Sequence, residues 1–222
     1  MKSFALLSLV LLGSCAGVQT GQTVSYQDNI KGTYEAAEKA FAAKLYEDAH
    51  KHFEEVRSKY PYSKYAVLSD LRLGDLYFAQ EKWLEAADAY DFYLRFHPRH
   101  EQNAYAWFQI AKAYYNAIPE NYFFLPSNYV KDQTATAEAL TALDKYLAQY
   151  PEDKSVEEAR KMRLQLRSQL AARDLHVGQF YLKRNKVKGA AARFEYVSKN
   201  FADTPEGEKA QAALEQIIQE DT

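Results

Sequence analysis

The chain has 222 residues, room for one large domain or two small ones, with 47% hydrophobic and 26% charged residues and only eight glycines and six prolines. That profile excludes disorder and a collagen-like fibre, and a single cysteine excludes a disulfide scaffold. Thirty acids against 28 bases give a net charge of −2, so no strongly basic field points to nucleic acid as a partner.

Residues 1–14 read as a signal peptide. Met1-Lys2 supplies one positive charge, and Phe4 to Leu12 is an apolar run interrupted only by Ser8. As a helix it would rise about 14 Å, half a bilayer core, so it suits a signal sequence and not a membrane span. Leu12-Gly13-Ser14-Cys15 follows, and this resembles the lipobox of bacterial lipoproteins. The resemblance implies that Cys15 is diacylated and becomes the first residue after the signal is removed, with this covalent lipid as the protein's anchor and no other cofactor. The alternative is ordinary cleavage near Ala16. Two or three acyl chains suffice for stable anchoring without a transmembrane helix. Under bacterial sorting rules, Ala16 after the cysteine implies the outer membrane. Gly17 to Asn29 is polar with two glycines and reads as a tether, reaching about 45 Å if fully extended. The expected organisation is therefore signal peptide 1–14, lipidated cysteine and tether 15–29, and a folded domain 30–222.

A 37-residue repeat organises that domain. Tyr46 and Trp83, Ala49 and Ala86, Phe53 and Tyr90, and Pro61 and Pro98 are each 37 apart. A third copy carries Ala139, Leu143 and Tyr150-Pro151, its proline 16 residues late because of an insertion at Ile118–Gln133. A fourth carries Ala190 and Phe194 and ends at Asn200-Phe201-Ala202, without the proline. Leu73-Gly74-x-x-Tyr77, Ile110-Ala111-x-x-Tyr114 and Val177-Gly178-x-x-Tyr181 precede copies two to four. This order of small residues, aromatics and closing prolines resembles the tetratricopeptide repeat. Small residues at 74, 86, 111, 178 and 190 let antiparallel helices approach, while Phe53, Tyr77, Tyr90, Tyr114, Tyr181 and Phe194 fill the space between hairpins. Each proline halts a helix, because it cannot donate its amide and disfavours helical geometry before it. The pattern predicts helices at 31–43, 46–59, 64–79, 83–96, 102–117, 132–149, 154–184, 187–200 and 205–219. Asp153 or Ser155 would cap the seventh, and Thr204-Pro205 reads as an N-cap followed by proline at the first helical position. The expected fold is an all-α solenoid of four helical pairs plus a terminal helix, the third repeat carrying an inserted loop.

No catalytic constellation emerges. His50 and His52 fall on different faces of one helix, poor metal geometry, and Asp48 with His52 reads as a surface pair. His97 and His100 flank Pro98 in a turn and read as solvated, with no third metal ligand nearby. His176 reads as packing or lining a groove. Glu54-Glu55 and Glu157-Glu158 read as solvated charge on exposed faces. There is no Gly-rich phosphate loop and no nucleophile elbow. The expectation is a protein that binds, with no metal and no enzymatic activity.

The lipoprotein signal, short tether and repeats together resemble the BamD family, the tetratricopeptide-repeat lipoproteins of the outer-membrane β-barrel assembly (BAM) machinery. The segments that carry the likeness are Tyr60-Pro61-Tyr62-Ser63-Lys64-Tyr65-Ala66, Phe92-x-x-x-Phe96-x-Pro98-x-His100 and the loop closing in Lys131-Asp132-Gln133. Leu175 to Arg184, Ala190-Ala191-Ala192-Arg193 and Asp203-Thr204-Pro205 complete the set. The resemblance implies a scaffold facing the periplasm. Its C-terminal half would dock on a POTRA domain of the barrel subunit, and its N-terminal repeats would receive unfolded outer-membrane proteins. Other assembly lipoproteins are further implied partners. It places the barrel-subunit contact on Arg193, with Arg184 and Lys183 beside it, a guanidinium suiting a carboxylate partner through two parallel hydrogen bonds. Tyr60, Tyr62, Tyr65, Tyr77 and Phe78 would offer a groove for the aromatic end of a client strand; repeat packing is the other reading of each. Lys131 stands where the family has arginine, and longer relatives continue beyond Thr222 with a further helix. A lipoprotein for secretin, pilus or division assembly would share the lipobox and repeats without needing Arg193 or the inserted loop.

Overall fold

The computed structural model describes residues 26–118 and 134–220. Among these, nine helices follow one another: α1 Tyr26–Ala42, α2 Tyr46–Lys59, α3 Lys64–Ala79, α4 Trp83–Phe96, α5 Asn103–Asn116, α6 Thr134–Gln149, α7 Val156–Lys183, α8 Val187–Asn200 and α9 Pro205–Glu220. Each packs on its successor, α1 also touches α3, and α7 also touches α9, as in a stack of antiparallel hairpins. This is the tetratricopeptide-like all-α solenoid expected from the repeat.

The small residues sit where helices cross. A Cβ on Gly74 would lie 2.5 Å from the Tyr90 ring, and one on Gly178 would lie 2.6 Å from the Phe194 ring. Ala49, Ala86, Ala111 and Ala190 are wholly buried at the matching crossings, as are Phe53, Tyr90 and Phe194. Tyr77, Tyr114 and Tyr181 are half-buried. The turn inside a repeat needs one residue with left-handed backbone: Lys44, Glu81 and Asn185 have φ of 59°, 59° and 56°. The first two are one 37-residue period apart.

Cap chemistry settles two further expectations. The Ser155 hydroxyl caps nothing, whereas the Asp153 carboxylate accepts from the Ser155 amide at 2.9 Å. Thr204 Oγ1 accepts from the Gly207 amide at 3.1 Å, an N-cap with Pro205 opening α9.

α1 starts at Tyr26, inside the stretch read as tether and ahead of the expected 31. The reason is tertiary: Tyr26 meets the Tyr60 ring edge-on at 5.1 Å, the Asn29 amide donates to the Tyr60 hydroxyl, and Ile30 is wholly buried. The signal segment, Cys15, the tether up to residue 25 and the insertion from 119 to 133, with Lys131-Asp132-Gln133, lie outside the described residues.

The 28 residues of α7 span about 42 Å and serve two cores. Val156, Ala159, Met162 and Leu166 complete the core shared by α3 to α6. Ala171 and Leu175 open a second core with α8 and α9. Where the two meet, Arg167 donates to both Asp203 oxygens at 2.6 to 3.0 Å, and Arg163 pairs with Asp144 at 2.5 Å. That contact with Arg167 holds the Asp203 carboxyl below the usual carboxylate range.

Candidate functional site

Three surfaces concentrate chemistry: the α7–α8 hairpin around Arg193, the aromatics of α3, and a cleft between α2 and α4. On α8, Arg193 is 46% exposed at its side chain and donates to Asp174 of α7 at 2.9 Å. An ion pair between a half-exposed guanidinium and the half-buried Asp174 is worth on the order of 1 kcal/mol, so the guanidinium exchanges partners at modest cost. Arg184, the C-cap of α7, lies over the Phe180 ring at 4.6 Å, and Lys183 is exposed beside it. Asp174 and Arg184 are ten residues apart on one helix, about 15 Å, so Arg193 stands away from the other two cations. Phe180, Leu182 and Tyr196 are exposed apolar residues of the same hairpin.

The five N-terminal aromatics do not converge on one pocket. Tyr60 faces α1 through Tyr26 and Asn29. Tyr65 leans on Tyr34 of α1 at 5.3 Å, with the Lys64 ammonium 5.1 Å from its own ring. Tyr62 is fully exposed at the tip of the α2–α3 turn. Tyr77 lies twelve residues beyond Tyr65 along α3, about 18 Å, and shares a 3.1 Å hydrogen bond with His50. Phe78 is half-buried against Trp83 at 4.9 Å. Tyr60, Tyr62 and Tyr65 cluster at one end of α3, and Tyr77 and Phe78 stand at the other.

A half-buried polar spine that the sequence did not disclose joins the same helices. Arg72 donates twice to Glu38 at 2.7 Å and once to Asp75 at 2.6 Å, and it stacks over Phe41 at 4.5 Å. The other Asp75 oxygen accepts from the Tyr90 and Tyr105 hydroxyls at 2.6 and 2.7 Å. Burial first, then the Asp75 charge, drives both phenols far above their ordinary range, so they remain neutral donors. Glu38, Arg72, Tyr90 and Tyr105 thereby lock α1, α3, α4 and α5 at fixed spacing.

The readings of the histidines and of Glu54-Glu55 are corrected here, while Glu157 and Glu158 are exposed as expected. His97 bonds Asp70 at 2.7 Å and His100 bonds the Tyr93 hydroxyl at 2.6 Å, so both are tied into the α3–α4 repeat and not solvated. Burial pushes the Tyr93 phenol up to about 12. His52 pairs with Glu55 at 3.8 Å and not with Asp48, and His176 is exposed. Glu158 reaches across to Lys112 of α5 at 2.9 Å, and Glu54 holds Arg57 at 2.8 Å inside the α2–α4 cleft. A contact 27 residues distant, as between Asp70 and His97, leaves no local signal in sequence. Among the described residues, no three of His, Cys, Asp and Glu are arranged to hold a metal ion, and no helix is long and apolar enough to cross a membrane.

Stacked hairpins with two functional-looking ends define a helical-repeat protein of the tetratricopeptide type. The chain belongs to the outer membrane lipoprotein family YfiO, whose model matches residues 26–221. Curated relatives carry the name outer membrane protein assembly factor BamD. The one from Caulobacter vibrioides is 26% identical over 194 residues, covering 87% of this chain and 61% of that relative, so the chain spans about three fifths of its length. The one from Neisseria meningitidis serogroup B is 24% identical over 92% of this chain and 78% of its own. The Vibrio cholerae relative is 23% identical, with 95% and 88% covered. The resemblance drawn from the sequence is thus present along the repeat domain.

Proposed function

We propose that this chain is a non-enzymatic scaffold lipoprotein of outer-membrane β-barrel assembly, held on the periplasmic side of the outer membrane by lipid on Cys15. The observation that carries the reading is the family match over residues 26–221, joined to relatives named as assembly factors. The hairpin bearing Arg193 docks on a POTRA domain of the barrel subunit: an exposed guanidinium with one exchangeable carboxylate, among exposed Phe180, Leu182 and Tyr196, suits such a contact. Arg184 and Lys183 add positive charge about 15 Å away. Unfolded outer-membrane proteins are received along α3, with Tyr60, Tyr62 and Tyr65 at one end and Tyr77 and Phe78 at the other. The polar spine keeps that helix rigid, which lowers the ordering cost of binding a flexible client.

The test is co-purification from detergent-solubilised membranes with wild type, Arg193→Glu, Asp174→Asn and Cys15→Ala. Recovery of the barrel subunit with wild type and Asp174→Asn, lost on Arg193→Glu, supports the docking site. Cys15→Ala shifts the protein from the membrane to the soluble fraction and abolishes palmitate labelling if the anchor is as proposed. Recovery of a secretin, pilus or division complex in place of the barrel subunit overturns the reading.

A further inference from the structure

Two clefts lie in series on the side of the solenoid formed by α2, α4 and α6. The first, floored by α3, has a volume of about 330 Å³ and brings Glu54, Asp70, Glu85 and Asp88 against the single cation Arg57. The second, floored by α5, has a volume of about 520 Å³ and sets Asp88, Asp91 and Glu138 against Lys145. Asp88 lines both, so among the described residues six carboxylates line the two clefts with Arg57 and Lys145, and Arg95 of α4 pairs with Asp91 at 2.9 Å. That local excess is larger than the net charge of the whole chain, −2.

The first cleft already displays the chemistry it selects. The Arg57 guanidinium lies 2.8 Å from Glu54, 3.7 Å from Asp70 and 5.3 Å from the centroid of the Phe92 ring. Carboxylates on the edge and an aromatic face above are how a planar cation is held. Arg57 does not satisfy the site. Asp70 is 6% exposed; one of its oxygens bonds His97, and the other has no hydrogen bond, the guanidinium being too far to donate. A buried carboxylate oxygen without a donor is costly, a cost that a further guanidinium donor in the cleft would relieve. Tyr77 and Tyr114, on the two floors, are raised first by burial and next by Glu54 and Glu138 respectively. Carboxylates thus outnumber cations among the described residues of both clefts. Such a face repels anionic lipid headgroups, its carboxylates among the described residues are not arranged to hold a metal ion, and its charge complements a cationic polypeptide.

We propose that this acidic, aromatic-lined face binds an extended segment of a partner polypeptide that presents arginines, one guanidinium to each cleft. The inference adds to the assembly reading and does not rest on it. It touches the client aromatics only at Tyr77 and lies on helices other than those of the Arg193 hairpin.

The test is fluorescence anisotropy on the full chain in detergent, with the labelled peptide Tyr-Arg-Thr-Tyr-Arg-Thr-Tyr-Arg and its isosteric form with citrulline for arginine. The arginine peptide should bind, the neutral one at least tenfold more weakly. The double variant Glu85→Gln/Asp88→Asn removes two exposed rim charges and should weaken the arginine peptide tenfold. Glu208→Gln/Glu215→Gln, the same charge change on α9, should leave its affinity unaltered. No binding of the arginine peptide, equal binding of the citrulline form, or equal losses in the two double variants overturns the proposal.

Discussion

Replacing Gly74 by alanine should destabilise the protein, although alanine is the better helix former. A Cβ there would stand 2.5 Å from both Cδ1 and Cε1 of Tyr90. Ordinary carbon contacts need about 3.5 to 4.0 Å, so the ring must withdraw by about 1 Å. It has nowhere to go: Tyr90 is wholly buried, and its hydroxyl is fixed 2.6 Å from Asp75. Overpacking of this kind costs about 1–3 kcal/mol. Alanine's helix advantage returns about 1 kcal/mol, leaving a net loss of up to about 2 kcal/mol. Gly32→Ala is the matched control, because that glycine lies in α1 with nothing within 4 Å of the added carbon. It should gain the full helix term, about 1 kcal/mol. Urea unfolding followed by far-UV circular dichroism reads both, and in heat each kcal/mol corresponds to about 2–4 °C for a chain of this size. The two midpoints should move in opposite directions. A Gly74→Ala protein that unfolds at or above the wild-type midpoint refutes the claim that close helix approach selects glycine here.

Asp75→Ala strands the Tyr90 and Tyr105 hydroxyls and one arm of Arg72 in a site where the carboxylate is 10% exposed. It should cost about 3–5 kcal/mol in the same unfolding assay, and a loss below about 1 kcal/mol would contradict the spine's role. Asp203 has a folded pKa below its unfolded value of about 3.9, first because Arg167 donates to it. Its contribution is therefore whole above that pH and is lost as pH falls through the folded value. Asp203→Asn should lower stability at neutral pH and flatten part of the decline below about pH 4; identical acid limbs for the two proteins would contradict this. Glu81→Asn should add about 0.5–1 kcal/mol, because asparagine tolerates the left-handed backbone that Glu81 is forced into, as Asn185 does in the last hairpin. A midpoint unchanged or lowered would remove backbone strain as the explanation.

Helix positions were largely legible in the chain. Pro61, Pro98 and Pro151 mark the exits of α2, α4 and α6, and the 37-residue recurrence of small and aromatic residues sets the hairpins. The candidate surfaces were legible only in part. Arg193 was named by its resemblance to a family contact, and its environment, one exchangeable carboxylate on the neighbouring helix, belongs to the hairpin. The α2–α4 cleft was missed because its carboxylates come from three helices, and Glu54-Glu55, read as a solvated pair, point to different neighbours: Glu54 to Arg57, Glu55 to Lys59.

What the sequence by itself determined is the local grammar of the molecule: where a helix can run, where proline stops it, and where a missing side chain admits a ring. These follow from backbone sterics and a 3.6-residue period acting over one or two turns. Only the tertiary structure placed Tyr26 in α1, packed on Tyr60, 34 positions away. It also decided that His97 serves Asp70, that Asp75 joins three helices, and that acids scattered from Glu54 to Glu138 share one face. Those groupings depend on how far each hairpin rotates on the last, a quantity set by the shapes of Gly74, Tyr90 and their counterparts in contact.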